Sequence, residues 1–353
     1  MTARYQALVA GATGATSKRL VDLLAGDPDW DVIGIARNPP VGHGTSVRYI
    51  SADLTDADAL REISSAFTDV THLFYCCRAP HGETGVESVA DNVRMLTDVL
   101  DAVDTRARGL QHVHLVEGGK WYGMHLGAFP TPAYEDDPRH LPPNFYYDQE
   151  DYLRARQAGE RWTWSASRPN FITDFAPERP RNLVAVLGVW AAICRACGMA
   201  LDYPGQPGAF TALAELTDAT QLARAMRFMA ITPACANQAF NVTNGEPYRW
   251  QRFWPRLADL YDLETGPVRP LRLGTWMADK EPLWQQLVTE HNLIDQPMSD
   301  VVLWDFADFA LNQDHDVFYS MTKLRNAGFR DSVDTHAALL AQIQAYRDAR
   351  VFP

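Results

Sequence analysis

The strongest constraint on the fold is a repeated alternation of short apolar runs with segments of helical periodicity. The apolar runs lie at residues 7–10, 31–36, 47–50, 72–77 and 112–116. Segments 57–67 and 89–103, in which apolar residues recur at helical spacing, separate some of these runs. Short apolar strands that alternate with helices are typical of parallel sheets covered on both faces. The pattern predicts an α/β fold with a Rossmann-type, doubly wound parallel sheet.

A glycine-bearing turn joins the first apolar run to the first helical segment. It reads Gly11-Ala-Thr-Gly14-Ala-Thr-Ser17 and has the strand–turn–helix position of a dinucleotide-binding turn. In such a turn, backbone N–H groups and the helix N-terminus face the pyrophosphate of the cofactor. Ser17 replaces the third glycine of the usual fingerprint, and a purely structural turn is the alternative. We predict that the turn binds NAD(P) through Gly11, Thr13, Gly14, Ala15 and Thr16.

Residues after the second and third apolar runs bear on the choice of cofactor. Arg37 stands where NAD-dependent enzymes commonly carry an acidic residue, and a guanidinium there suits the 2′-phosphate of NADPH. A solvated surface arginine is the alternative. Asp53 and Leu54 follow the third run, at a position where they would contact the adenine. Asp53 could equally be a residue that stabilises a turn or caps a helix. We therefore predict NADPH as the cofactor.

The second half of the chain has a looser alternation, which indicates a second lobe. We expect residues 1–180 to form the NAD(P)-binding Rossmann domain, completed by segments from about 209–262. Residues 181–208 and 263–353 are expected to form mainly a smaller, mostly helical substrate-binding lobe. The apolar run at 183–194 predicts a buried core helix, because its 12 residues are too few to cross a bilayer.

Composition and charge exclude several classes of partner. The chain of 353 residues carries 32 basic and 44 acidic residues, and its net charge of −12 with dispersed basic residues argues against nucleic acid and anionic membranes. The first residues lack the pattern of a secretory signal, so we expect a cytoplasmic protein. The five cysteines imply no disulfide framework. Cys194 and Cys197 have a zinc-like spacing but no second cysteine pair, and the ten histidines show no ligand spacing, so we predict no metal. The expected partner is a small molecule, and a homodimer is compatible with the sequence.

Two polar clusters follow the fifth apolar run. The first is Glu117-Gly-Gly-Lys120-Trp-Tyr122, and the second is Asn144-Phe-Tyr146-Tyr147-Asp-Gln-Glu-Asp151. Both are expected at or just beyond the carboxyl edge of the sheet, where α/β proteins bind ligands. A tyrosine near a lysine suits nicotinamide chemistry, because a phenol with a pKa of about 10 needs a cation to stabilise anionic character in the transition state.

The usual spacing of short-chain dehydrogenases, in which the lysine follows the tyrosine by four residues, is absent. Glu150 stands four residues after Tyr146, and Asp151 stands four residues after Tyr147. The predicted helix therefore offers neither phenol a cation one turn further on. This disfavours an ordinary carbonyl reductase or epimerase with a Tyr/Lys pair on one helix.

At these residues the chain resembles the progesterone 5β-reductase and iridoid synthase-like family, an atypical branch of the extended short-chain dehydrogenases. The most specific shared features are the string at 144–151 and the glycine-x-lysine after the fifth run. The resemblance extends over nearly the whole chain. Further resembling segments lie at 11–14, 34–37, 70–75, 92, 99–103, 164–165, 168–169 and 239–245.

The resemblance implies a reaction and the residues that perform it. It places the catalytic lysine at Lys120 and the phenol at Tyr146, with Tyr147 as the second candidate, and it implies Ile172 as a contact of the nicotinamide. The implied reaction is NAD(P)H-dependent 1,4-reduction of a small, hydrophobic α,β-unsaturated carbonyl compound, with Lys120 and Tyr146 stabilising the enolate oxygen. Asn38 replaces a second basic residue that the family often carries, so NADH is a second candidate cofactor.

Two other functions stay open at this point. The same cofactor and phenol would also suit 1,2-reduction of a ketone or oxidation of an alcohol. A non-catalytic NADP-binding sensor is the alternative from another class, and it would bind the cofactor tightly without turnover. The residues Glu117-Gly-Gly depart from those that the family carries ahead of the lysine, so we expect a different pocket shape.

Overall fold

The computed structural model describes residues 4–40, 46–79 and 87–353. Its strands are β1 (Tyr5–Ala10), β2 (Trp30–Ala36), β3 (Val47–Ser51), β4 (His72–Tyr75), β5 (His112–Val116), β6 (Thr163–Pro169), β7 (Phe171–Thr173), β8 (Leu201–Tyr203), β9 (Leu216–Asp218), β10 (Gln238–Val242) and β11 (Thr265–Val268). Its helices are α1 (Lys18–Ala25), α2 (Ala57–Ile63), α3 (Val89–Asp104), α4 (Phe145–Gln157), α5 (Leu183–Ala196), α6 (Pro207–Thr211), α7 (Ala219–Ile231), α8 (Trp250–Leu260), α9 (Leu273–Trp276), α10 (Glu281–His291), α11 (Met298–Val301), α12 (Trp304–Ala310), α13 (Thr322–Asn326) and α14 (Thr335–Asp348). Short 3₁₀ helices lie at Ser64–Phe67, Gly119–Tyr122 and Pro233–Cys235.

The predicted doubly wound parallel sheet is confirmed. Within the described residues, seven strands pair in parallel in the order β3-β2-β1-β4-β5-β6-β10. The chain runs outward from β1 to β3 and then returns to β4 on the other side of β1. Ligands of α/β sheets bind at the carboxyl ends of the strands beside such a reversal. The topology therefore places the ligand edge at the ends of β1 and β4.

Helices cover both faces of this sheet. On one face, α3 and α4 bury apolar side chains such as Leu96, Val99 and Leu153. On the other face, Leu24 of α1 and Met226 of α7 belong to a second apolar cluster. Burial on both sides explains why the strands appear in the sequence as continuous apolar runs.

A further core lies in the helical second half. The predicted core helix is confirmed, because α5 buries every residue from Leu183 to Cys194. Trp254 of α8 and Ile343 of α14 belong to the same cluster. The segment 209–262 contributes both β10, which extends the large sheet, and α8, which packs in this helical core. The exact division of the chain into two domains stays a prediction.

The described ranges carry no helix that combines the length and the hydropathy needed to cross a bilayer. All five cysteines have free thiols. The cytoplasmic location stays a prediction.

Candidate active site

Two cavities adjoin at the carboxyl edge of the large sheet. The first has a volume of about 640 Å³ and begins at the turn after β1. The second has a volume of about 610 Å³ and reaches Phe306 and Phe309 of α12. The residues that line both cavities are Ala15, Thr16, Arg78, Glu117, Tyr146, Ile172 and Arg179. The cavities thus share one boundary.

The first cavity brings together every residue that was predicted to contact the cofactor. These residues come from the ends of β1, β2 and β3 and from β7, far apart in the sequence. They are Gly11, Thr13, Gly14, Ala15, Thr16, Arg37, Asp53, Leu54 and Ile172. Their individual contacts with a cofactor stay predictions.

The turn after β1 has the close backbone approach that a pyrophosphate site needs. Gly11 has a φ of +79°, and a Cβ there would lie 2.8 Å from Cys77 Sγ. A Cβ on Gly14 would lie 3.0 Å from Gly11 O and from Ser17 Oγ. Ser17 Oγ donates a hydrogen bond to Gly11 O at 2.5 Å. The serine that replaces the third glycine therefore closes the turn, and the cradle fits the diphosphate of a dinucleotide at the start of α1.

Arg37 and Asp53 lie at the opposite end of the first cavity. Within the described residues, no carboxylate lies within ion-pair distance of the Arg37 guanidinium, so the group is available to a phosphate. Asp53 Oδ1 accepts hydrogen bonds from Thr55 N at 2.9 Å and from Thr55 Oγ1 at 2.8 Å. These bonds lower the pKa of Asp53 and show that its carboxylate shapes the turn after β3.

Lys120 lies on the 3₁₀ turn Gly119–Tyr122, directly after β5. Its Nζ donates a hydrogen bond to Glu87 Oε2 at 2.7 Å, and Arg78 Nη1 donates to Glu87 Oε1 at 3.0 Å. One carboxylate thus holds two cations at the second cavity. The Lys120 side chain is 30% exposed, so a ligand in this cavity can approach it.

Tyr146 lies in the first turn of α4, and its side chain borders both cavities. Its hydroxyl lies beside Gly118, where an added Cβ would be 3.2 Å from the oxygen. Among the described residues, no group accepts a hydrogen bond from this hydroxyl. Burial raises the pKa of Tyr146 well above that of a free phenol, and the nearby Glu87 carboxylate raises it further. The group is therefore a neutral hydrogen-bond donor at neutral pH.

Asn144 connects the two polar clusters. Its Nδ2 donates a hydrogen bond to Lys120 O at 2.7 Å, and its Oδ1 accepts one from Tyr146 N at 3.2 Å, as a helix N-cap does. The loop that carries the lysine and the helix that carries the phenol therefore meet at one side chain.

Tyr147, the second candidate phenol, faces away from the cavities. Its hydroxyl donates to Trp121 O at 2.6 Å and accepts from His140 N at 2.8 Å. The residue is 5% exposed, and it is not among the described residues that line either cavity. Both hydrogen-bonding capacities of its hydroxyl are used within the protein, which favours Tyr146 as the reactive phenol.

A buried ionic network behind the site was missed by sequence reasoning. Arg168 Nε donates to Glu117 Oε2 at 2.7 Å, and Arg168 Nη2 donates to Glu150 Oε2 at 2.9 Å. The guanidinium also lies over the Trp121 ring at 3.5 Å from its centroid. Burial raises the pKa of Glu117, and the Glu150 charge raises it too. At Glu150 burial also acts to raise the pKa, but Arg168, the hydrogen bond with Glu117 and the Arg154 ion pair at 2.6 Å together lower it. The Arg168 guanidinium thus donates hydrogen bonds to an ionised Glu150 and to a neutral Glu117.

Arg179 is a second site residue that was missed. It lines both cavities, and its guanidinium donates a hydrogen bond to Thr13 O in the glycine-bearing turn. Its Nε is buried and has no hydrogen-bond partner among the described residues. Residues 177–181 read Pro-Glu-Arg-Pro-Arg and lack the apolar pattern of a helix or a strand. Two arginines in such a loop were the sequence signal that could have identified Arg179.

Solved structures share the overall fold at low sequence identity. UDP-glucose 4-epimerase from Thermus thermophilus, in complex with NAD, matches with a TM-score of 0.67 and 15% identity over 98% of this chain and 99% of that chain. UDP-glucose 4-epimerase from Thermotoga maritima matches with a TM-score of 0.68 and 15% identity over 97% and 99%. At this identity the similarity concerns the fold alone.

Curated relatives are much closer in sequence. (S)-8-oxocitronellyl enol synthase from Nepeta racemosa is 34% identical over 361 residues, which cover 97% of this chain and 92% of the relative. The 3-oxo-Delta(4,5)-steroid 5-beta-reductase from Arabidopsis thaliana is 34% identical over 369 residues, covering 98% and 93%. The family model of the PRISE-like Rossmann-fold domain matches residues 51–353. The resemblance inferred from the motifs is confirmed, and the chain belongs to the PRISE-like Rossmann-fold family.

Proposed function

We propose that the protein is an NAD(P)H-dependent ene-reductase, which performs the 1,4-reduction of an α,β-unsaturated carbonyl compound. The observation that carries this proposal is the Tyr146 hydroxyl, which lies at the shared boundary of the two cavities without an acceptor in the described part of the chain. Lys120 lines the second cavity. Relatives that match nearly the full length are named an enol synthase and a steroid 5-beta-reductase, which supports the same class of reaction.

The first cavity is proposed to bind NADPH. The turn at residues 11–17 would hold the pyrophosphate, Arg37 the 2′-phosphate, and Ile172 the nicotinamide end. When bound, the cofactor supplies the hydride that adds to the β-carbon of the enone. NADH is the second candidate. It lacks only the 2′-phosphate, so it would lose the proposed contact with Arg37 and keep the others.

Tyr146 is proposed to stabilise the substrate oxygen. Its hydroxyl would donate a hydrogen bond to the carbonyl oxygen, which becomes an enolate oxygen as the β-carbon is reduced. Because burial raises the pKa of Tyr146, the phenol keeps its proton and acts as a donor. A preorganised donor of this kind contributes about 3–4 kcal/mol to transition-state stabilisation.

Lys120 is proposed to add a positive charge at the same oxygen. Asn144 holds its backbone, and Glu87 holds its ammonium group, so one connected set of hydrogen bonds positions the lysine loop and the phenol. The enolate is then protonated at the α-carbon to give the saturated carbonyl compound.

The proposal is tested by incubating the purified protein with NADPH or NADH and small enones such as (E)-4-phenylbut-3-en-2-one. Cofactor absorbance reports turnover, and NMR of the product distinguishes a saturated ketone from an allylic alcohol. A saturated ketone supports the proposal. An allylic alcohol would instead indicate 1,2-reduction, and tight NADPH binding without turnover of any enone would indicate a sensor.

The substrate is proposed to be hydrophobic over part of its surface. Phe171, which lines the second cavity, packs against Phe306 and Phe309, with ring centroids 6.1 Å and 5.7 Å apart. Met124 lines the same cavity. An apolar wall of this kind binds hydrocarbon without selecting one skeleton, so enones of different carbon skeletons are the appropriate test panel.

A homodimer is a separate proposal. Leu126 and Leu141, on the segment between β5 and α4, are 56% and 68% exposed and are candidates for burial at a subunit interface. Light scattering tests it: a mass of twice the 39.5 kDa chain supports the dimer, and a monomer mass contradicts it.

A further inference from the structure

The second cavity carries an excess of positive charge, although the chain as a whole has a net charge of −12. Its lining includes the cations Arg78, Lys120, Arg179 and Arg181. A local excess of one sign in a chain of the opposite net charge attracts ligands of the opposite charge.

Within the described ranges, the carboxylates near this cavity do not balance these cations. Glu87 is shared by Arg78 and Lys120, and Glu178 lies 3.7 Å from Arg179. Glu117 bonds to Arg168 behind the cavity, and burial favours its neutral form. Among the residues that the structure describes, two carboxylates, Glu87 and Glu178, therefore pair with three of the four cations.

Arg181 is the fourth cation, and no carboxylate in the described part of the chain lies within ion-pair distance of it. Its guanidinium lies over the Phe306 ring at 5.0 Å from the centroid, so it sits against the apolar wall. Within the described residues, it forms no ion pair and no hydrogen bond. The residue as a whole is exposed to solvent. Partial burial of the guanidinium lowers the pKa of Arg181, the neighbouring Arg78 charge lowers it further, and Glu87 opposes both effects. A carboxylate can therefore reach the guanidinium and form a charge-assisted hydrogen bond with it.

The position of Arg181 separates it from the proposed cofactor site. It lines the second cavity and is absent from the described lining of the first, which holds the glycine-bearing turn and Arg37. Arg179, which lines both cavities and contacts Thr13, is the better placed arginine for a cofactor phosphate. The free guanidinium therefore faces the space that remains for the substrate.

We propose, building on the ene-reductase function, that the substrate is an amphipathic enone with a carboxylate separate from its reacting carbonyl, and that Arg181 binds this carboxylate. The hydrocarbon between the two groups would lie along Phe171, Phe306 and Phe309. Arg181 would thereby decide substrate preference, whereas Tyr146 and Lys120 act at the reacting oxygen.

The test compares acids with their methyl esters at three chain lengths: (E)-6-oxohept-4-enoate, (E)-7-oxooct-5-enoate and (E)-8-oxonon-6-enoate. For at least one length, the wild-type protein should show a kcat/KM about tenfold or more higher for the acid, mainly through a lower KM. In Arg181→Gln this ratio should fall to about one, and in Arg181→Glu the ester should become the better substrate.

Arg224→Gln is the matched control. Arg224 lies on α7, its side chain is 53% exposed and 3.8 Å from Asp331, and it is not among the described residues lining either cavity. Its variant should keep the preference for the acid. Equal use of acid and ester by the wild type at all lengths, or an acid preference that survives in Arg181→Gln, would overturn the inference. So would a KM for NADPH that rises in Arg181→Gln as much as the KM for the acid.

Calorimetry with 7-oxooctanoate and its methyl ester separates this inference from the proposed function. Tighter binding of the acid than of the ester, lost in Arg181→Gln, supports the anion site whether or not the enones are reduced. If the enones are not reduced, only the ene-reductase function is contradicted. Reduction of the carbon–carbon double bond without any preference for acids would support the ene-reductase and contradict the anion site.

Discussion

The side-chain amide of Asn144 donates a hydrogen bond to the backbone carbonyl of Lys120 at 2.7 Å, across 24 residues of sequence. The same side chain accepts a hydrogen bond from Tyr146 N and so begins the helix that carries the phenol. Short-chain dehydrogenases with a lysine four residues after the tyrosine place both groups on one helix. Here a capping side chain connects the two elements instead.

Asn144→Ala should therefore affect both stability and catalysis. Loss of the N-cap costs about 1 kcal/mol in unfolding free energy, and loss of the bond to Lys120 O adds a similar amount. Because the lysine loop loses its connection to α4, we expect kcat to fall about tenfold or more with a smaller change in KM. Urea unfolding and steady-state kinetics with an enone measure the two effects.

Asp334→Ala is the control for this experiment. Asp334 caps α14 by accepting a hydrogen bond from Ala337 N at 3.0 Å, and it is not among the described residues lining either cavity. Its loss should lower stability by a similar amount and leave kcat unchanged. An equal fall in kcat in both variants would mean that Asn144 acts only through overall stability.

Tyr146→Phe and Tyr147→Phe should separate the two neighbouring phenols. Removing the Tyr146 hydroxyl takes away the donor at the substrate oxygen, so we expect kcat to fall about 100- to 1,000-fold with little change in stability. Removing the Tyr147 hydroxyl breaks bonds to Trp121 O and His140 N, so we expect a stability loss of about 1–2 kcal/mol and a much smaller fall in kcat. Full activity in Tyr146→Phe would contradict the proposed mechanism.

The sequence was most informative where the site is contiguous in the chain. The turn at 11–17 lies between one strand and one helix, so its position in the fold follows from the local pattern alone. The choice between Tyr146 and Tyr147 could not be made, because adjacent helical residues point in different directions and tertiary packing decides which one faces the cavity. The pairing of Arg168 with Glu117 spans 51 residues, and only the strand order brings the two together.

The buried carboxyl of Glu215 should make stability depend on pH. Burial raises its pKa from 4.5 to about 7, although Tyr319 N and Thr243 Oγ1 donate hydrogen bonds to it. The folded protein therefore holds this proton more tightly than the unfolded chain. Its contribution to stability is complete below pH 4.5 and is lost as the pH rises to about 7. At about 1.4 kcal/mol per pKa unit, the complete loss amounts to about 3.5 kcal/mol.

Glu215→Gln tests this contribution, because the amide does not titrate and has nearly the same shape. The difference in unfolding free energy between pH 5 and pH 8 should be smaller in the variant than in the wild type by about 2–3 kcal/mol. Urea unfolding at both pH values measures it, and all other titrating groups cancel in the comparison. An identical pH dependence in the two proteins would show that Glu215 is ionised in the folded state at pH 5.

Substitutions in the buried network of Arg168, Glu117 and Glu150 should lower the free energy of unfolding by different amounts. Arg168→Met leaves the buried Glu150 carboxylate with only the half-exposed Arg154, 2.6 Å away, as an ion-pair partner, which should cost about 3 kcal/mol. Glu117→Gln should cost less than about 1 kcal/mol, because burial already favours the neutral form of Glu117 and the amide oxygen can still accept from Arg168 Nε. Urea unfolding at pH 7 compares the variants. Equal losses would mean that Glu117 is ionised in the folded protein.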